Sequence, residues 1–172
     1  MDFYQTVTAR KSIRSYRPNP VPDEVLNRVM EAARLAPSAK NIQPWKFIIV
    51  RDPKVRQELA IACNNQQSVA QAPITICGCA IERVCYRGMG GYWNSWAVDL
   101  SIALEHIMLA AAAEGLGTCW IGAFKEAEVR RVLQIPEDIK IVALTPLGYP
   151  AEEARAMLRK PMSEITCLDR YA

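Results

Sequence analysis

Hydrophobic and polar positions change period several times along the chain, and each change marks an element. Residues 2–9 read as a short helix, with Asp2 as its N-cap and Phe3 and Val7 on one face. Prolines at 18, 20 and 22 exclude helix and mark an exposed connection. Asp23 then caps a second helix, Glu24 to Leu35, in which Val25, Leu26, Val29, Met30 and Ala33 recur at helical spacing. The run Trp45 to Val50 predicts a first strand, Asp52-Pro53 turns the chain, and Lys54 to Cys63 returns to helix. After the polar interruption Asn64 to Gln67, Ile74 to Ile81 is nearly all apolar, the pattern of a central strand. The longest helix candidate, residues 96–114, carries only Asp99, Glu105, His106 and Glu114 as ionisable groups. A helix apolar nearly all round is covered on more than one side, which in a chain this size points to a subunit interface. Gly115 supplies a left-handed cap, and Thr118 to Ile121 reads as a short third strand. Lys125 to Leu133 is helical, and Lys140 to Leu147 is a fourth strand in which Pro146 marks an edge or a bend. In the tail, Glu164 to Leu168 is a candidate extended segment. The order is helix and strand mixed around one sheet.

Composition narrows this picture. A chain of 172 residues, 51% hydrophobic and 23% charged, is expected to form a single domain, 1–172, with a sizeable core. A net charge of +3 argues against a nucleic-acid binder, which would carry a strongly basic face. The longest strongly apolar run, Ile107 to Ala113, falls well short of the ~18 residues of a membrane helix, and the N-terminus lacks signal-peptide features. A cytoplasmic protein is expected, with no membrane partner. None of the six cysteines forms CxxC, and His106 is the single histidine, so no metal site is expected. Cys77 and Cys79 alternate in a strand pattern and belong to one face as small core residues.

Candidate chemistry concentrates outside the regular elements. Between Pro37 and Pro44 lie Ser38, Lys40, Asn41 and Gln43, four hydrogen-bonding side chains on a short constrained connection. Taken alone this is an ordinary surface loop. Glycine-rich phosphate cradles of the common kinds are absent, and His106, mid-helix among apolar residues, reads as structural. Two basic clusters remain: Arg10, Lys11 and Arg14, then Arg159 and Lys160. Arginines hold a phosphate monoester through forked, charge-assisted hydrogen bonds, although most such clusters are solvated surface.

Taken together, four stretches resemble the nitroreductase family of FMN-dependent oxidoreductases: Arg10-Lys11-Ser12-Ile13-Arg14, residues 37–45 (PSAKNIQPW), residues 115–122 (GLGTCWIG), and Arg159-Lys160-Pro161. The resemblance covers nearly the whole chain, in the family's order and spacing. It implies an α+β fold with a mixed, mainly antiparallel central sheet flanked by helices, and an intertwined homodimer with two FMN sites at its interface. By the same resemblance Arg10, Lys11, Ser12 and Arg14 hold the phosphate and the flavin's pyrimidine edge, and Arg159 and Lys160 complete the phosphate site. Pro37, Ser38, Ala39, Asn41 and Gln43 come from the partner subunit and border the ring and ribityl chain. Asn65 falls at a polar contact to the ring, and Ile121, Gly122 and Ala123 match the stretch near N5. Lys11 stands where the family often has arginine.

Elementary chemistry agrees with those roles. Cations and N–H groups near N1 and O2 favour reduced flavin, and Gly122 lets backbone approach a flat ring. The implied activity is alternating hydride transfer from NAD(P)H through flavin N5 to a nitroaromatic, quinone or similar acceptor, with no protein nucleophile. Residues 83–96 match no family segment; Tyr86, Tyr92, Trp93 and Trp96 either stack on an aromatic substrate or nicotinamide, or pack beneath a lid. Dehalogenation or flavin breakdown on the same scaffold, and flavin binding without turnover, are the alternatives.

Overall fold

The computed structural model describes residues 1–153 and 157–171. Its elements follow in the order α1 (Phe3–Ala9), α2 (Asp23–Arg34), β1 (Trp45–Val50), α3 (Pro53–Ala62), α4 (Gln67–Gln71), β2 (Ile74–Ala80), β3 (Arg87–Met89), β4 (Trp93–Asn94), α5 (Trp96–Ala113), β5 (Gly117–Thr118), α6 (Glu126–Leu133), β6 (Lys140–Gly148) and α7 (Met162–Ile165). The main sheet has the order β1-β2-β6-β5 with every strand pair antiparallel, and β3 and β4 form a separate hairpin. A parallel bridge, Ser12 to Thr118, makes the sheet mixed.

Alternation along β2 explains the layers. Ile74, Ile76 and Ala80 face one core with Val29 and Ala33 of α2 and Leu100, Leu104 and Ile107 of α5. Cys77 and Cys79 face a second core with Leu59 of α3 and Val129 of α6. With both faces covered, all seven residues of β2 are buried, as its nearly all-apolar run predicts. Each fully buried Leu or Ile in these cores contributes about 1.5–3 kcal/mol of transfer free energy. α5 is long and apolar enough to span a membrane by composition, yet eight of its residues, Leu104 and Ile107 among them, are buried in the protein. His106 sets its Nδ1 3.1 Å from the Ala32 carbonyl, the structural role expected of it.

Three local expectations change. Pro146 lies in β6, an inner strand, rather than at an edge. Continuing the β5–β6 register puts it opposite Cys119, where the ladder lapses between Thr118 and the bridge from Ile121 to Leu144, so the missing N–H falls in a gap. Asp23 is the first residue of α2, not its cap: Pro22 is the N-cap, and the Asp23 carboxylate pairs with Arg51. Glu164 to Leu168 is not extended throughout: Glu164 and Ile165 belong to α7, whose start follows Pro161, and Thr166, extended in its backbone, caps the helix with its N–H closing onto Met162. One helix, α4, was hidden within the polar interruption and its flank.

Candidate cofactor site

The arm carrying the first basic cluster is laid along β5. Ile13 donates its N–H to the Thr118 carbonyl at 2.8 Å, and Arg17 donates to Tyr149 at 2.9 Å. The approach depends on Gly117, where an added Cβ would meet Ile13 Cγ1 at 2.5 Å. Beneath the arm Tyr16 is buried, its hydroxyl donating to the Ile13 carbonyl at 2.8 Å. Burial drives that phenol far above the ordinary tyrosine range, so it stays a neutral donor. The arm therefore sets Arg10 and Lys11 at a cleft of about 220 Å³, shared with Ala9, Leu116 and Thr118. Arg10 is partly covered, its Nε 3.9 Å from the Glu105 carboxylate of α5; Ser12 and Arg14 are exposed nearby on the same arm.

The loop between Pro37 and Pro44 is strained as well as polar. Ala39–Asn41 make a 3₁₀ turn in which Lys40 and Asn41 adopt φ of 52° and 54°, and Gln43 follows at 54°. Non-glycine residues enter this left-handed region at an energetic cost, so surrounding bonds must hold them there. The Gln43 N–H donates to Ser38 Oγ at 2.9 Å, and its side-chain amide donates to Asn41 Oδ1 at 3.1 Å. Ala39 donates its N–H to Asp99 Oδ1 at 2.9 Å.

A second polar turn shows the same strain, with Asn64 and Asn65 at φ of 57° and 59°. It is tied to the stretch after β5: the amides of Asn64 and Gln66 donate to the Ala123 carbonyl at 3.3 and 3.0 Å. Asn65 is thereby brought beside Gly122 and Ala123, which are exposed, whereas Ile121 is buried in the second core. The predicted aromatic group divides. Trp96 packs against the first core. Tyr92 and Trp93 are exposed at the hairpin with ring centroids 5.5 Å apart, and Tyr86 lies under Lys40, whose Nζ is 4.7 Å from its ring centre.

The Nitroreductase family model matches residues 7–77 and 63–149, so it takes in the arm, the strained loops and β5. The chain belongs to the nitroreductase family. A nitroreductase family protein from Clostridium novyi NT is 36% identical, with a TM-score of 0.82 over 88% of this chain and 87% of that one. The NADH dehydrogenase of Thermus thermophilus is 32% identical over 96% of this chain and 95% of its own length. An FMN-dependent nitroreductase from Clostridium difficile R20291 is 26% identical, with a TM-score of 0.83 over 96% of this chain and 98% of its own.

In this family member the second basic cluster lies apart from the folded layers: Arg159 and Lys160 are exposed in the tail, with Lys160 paired to Glu164 at 3.6 Å. Three neighbours of the site escaped the sequence reading. Trp120 is exposed, and its Nε1 would lie 3.1 Å from a Cβ at Gly122. Asp99 and Ser95 are buried beneath loop and hairpin. The one signal for Asp99 was its place among the few ionisable residues of a mostly apolar helical run, and for Ser95 there was none.

Proposed function

We propose that this chain is an FMN-dependent oxidoreductase that takes electrons from NADH or NADPH and passes them, in alternating half-reactions, to a nitroaromatic, quinone or similar small acceptor. The supporting observation is where backbone strain collects. Among the described residues, non-glycine positive φ occurs at Lys40, Asn41, Gln43, Asn64 and Asn65, and elsewhere only at Gln134 and Asp169. Strained polar loops held in place by hydrogen bonds are a mark of binding sites.

The residues suit a mononucleotide. Arg10 and Lys11, at a cleft walled by Leu116 and Thr118, suit a phosphate dianion, and Ser12 adds a hydroxyl donor on the same arm. Exposed backbone at Gly122 and Ala123, beside the Asn64–Gln66 turn, suits the edge of a flat ring. FMN, when bound, supplies the two-electron carrier between nicotinamide and acceptor. The protein's part is to hold phosphate and ring, and to favour the reduced form with nearby cations.

We further propose that the working unit is a homodimer of one-domain subunits in the cytoplasm, where buried thiols stay reduced. Ala97, Val98, Ser101 and Ile102 line an open, mainly apolar groove along α5. Phe3 and Tyr4 of α1, and Leu158, Leu168 and Tyr171 of the tail, also stand exposed. Apolar surface of this extent is what a second subunit covers, and it would bring one copy's strained loop and tail cations to the other's cleft.

The test is direct. The purified protein should be yellow, should release FMN on denaturation, and should bleach anaerobically with NADH or NADPH and recolour with a nitroaromatic or quinone. A colourless protein that takes up no flavin on titration would refute the reading; bound FMN that neither nicotinamide bleaches would leave a binding protein.

A further inference from the structure

Asp99 lies in the first turn of α5, only 2% exposed, beside the core residues Leu100 and Ala103. A carboxylate taken from water persists only where donors replace the lost hydration. Here the donors come from two separate segments. Oδ1 accepts from the Ala39 N–H at 2.9 Å, and Oδ2 accepts from Ser95 Oγ at 2.7 Å. Ser95 is fully buried; its Oγ accepts from the Tyr86 N–H at 3.2 Å, and its own N–H donates to the Tyr86 carbonyl at 2.9 Å. Ala39 begins the strained turn, and Tyr86 and Ser95 close the base of the β3–β4 hairpin. Lys40 over the Tyr86 ring bridges the same two segments a second time. A carboxylate serving only the helix dipole would stay solvated or bond its own helix's first N–H groups. Asp99 instead spends Oδ1 on the distant Ala39, and Oδ2 on the hydroxyl of Ser95, the N-cap residue of α5, which carries the contact on to Tyr86.

Resting on the flavin reading above, we propose that Asp99 is a positioning residue: one carboxylate fixes the loop that borders the cofactor and the hairpin that walls the acceptor space in register with each other. Its two arms are separable. Ser95→Ala cuts the hairpin arm alone, Asp99→Ala cuts both, and Asp99→Asn keeps an amide oxygen to accept from Ala39.

The experiment measures amide hydrogen exchange of the full chain without flavin, then FMN affinity by fluorescence titration, then steady-state kinetics with a quinone. Ser95→Ala should raise exchange at Tyr86 about tenfold and the quinone KM severalfold, with kcat, FMN affinity and exchange at Ala39 within about twofold of wild type. Asp99→Ala should raise exchange at both amides and weaken FMN about tenfold, and Asp99→Asn should restore protection at Ala39 and the affinity. Should Asp99→Ala fail to fold, the Asp99→Asn and Ser95→Ala pair decides on the same readings. Unchanged exchange at Ala39 and Tyr86, loosening spread equally through β2, or FMN loss as large in Ser95→Ala as in Asp99→Ala would overturn the proposal. A wild-type protein that binds no FMN would sink the flavin reading alone, because the exchange arm still reports whether Asp99 holds both segments.

Discussion

Replacing Gly117 with alanine tests whether the arm on β5 builds the phosphate site. The new methyl would sit 2.5 Å from Ile13 Cγ1, 2.7 Å from its Cβ and 2.9 Å from its Cγ2. Carbon atoms rest about 3.5–4.0 Å apart, so the arm must retreat by roughly 1 Å. Rotating Ile13 about χ1 gives no escape, since the Cβ itself is one of the clashing atoms. Retreat also stretches the Ile13 to Thr118 hydrogen bond, 2.8 Å long and one residue away. Overpacking of this kind costs about 1–3 kcal/mol and a lost backbone bond about 0.5–1.5, together about 2–4 kcal/mol. At about 2–4 °C per kcal/mol for a chain of this size, melting should fall by about 5–15 °C. Arg10 and Lys11 move with the arm, so FMN affinity should fall about tenfold or more. A thermal melt read by circular dichroism and a flavin fluorescence titration report the two effects separately. Adding Ile13→Ala removes two of the three clashes and should recover part of both. Wild-type melting in Gly117→Ala refutes the packing argument, and lowered melting with unchanged FMN affinity refutes the arm's part in the cofactor site.

Three further outcomes are expected. Arg10→Ala combined with Arg159→Ala should reduce FMN affinity by orders of magnitude, at about 1.5–3 kcal/mol for each charged hydrogen bond, and unchanged flavin occupancy would show the phosphate lies elsewhere. Trp93→Ala should raise the quinone KM while leaving melting and FMN affinity as they were, because the side chain is exposed on the hairpin; an unchanged KM assigns Trp93 no part in acceptor binding. Arg28, donating to Glu114 at 2.7 and 2.8 Å, holds that carboxyl below its usual range, so the pair stabilises the fold above the unfolded carboxylate's pKa and ceases to as pH falls through the lowered folded value. Glu114→Gln should therefore melt lower than wild type at neutral pH and converge with it in strong acid or high salt; a gap that persists in acid contradicts the ion-pair account.

The sequence alone determined what depends on near neighbours. β1, β2 and α5 followed from runs and periods, and the polar connection between Pro37 and Pro44 followed from the restraint proline places on its predecessor. The basic arm, that connection and the stretch around Gly122 were also legible, because they keep the composition and order of a known family. Tertiary structure decided the rest. Pro146 reads locally as the mark of an edge or a bend, yet it sits inside the sheet because the gap at Cys119 needs no donor there. Asp23 reads as a cap until Arg51, 28 residues away, takes its carboxylate. Asn64 and Ala123, 59 apart, and Ala39 and Asp99, 60 apart, meet only once the sheet has brought their loops to one end. Periodicity and turn chemistry are set by adjacent bonds, whereas the partner of a buried polar group is whichever donor the packed core leaves within about 3 Å of it.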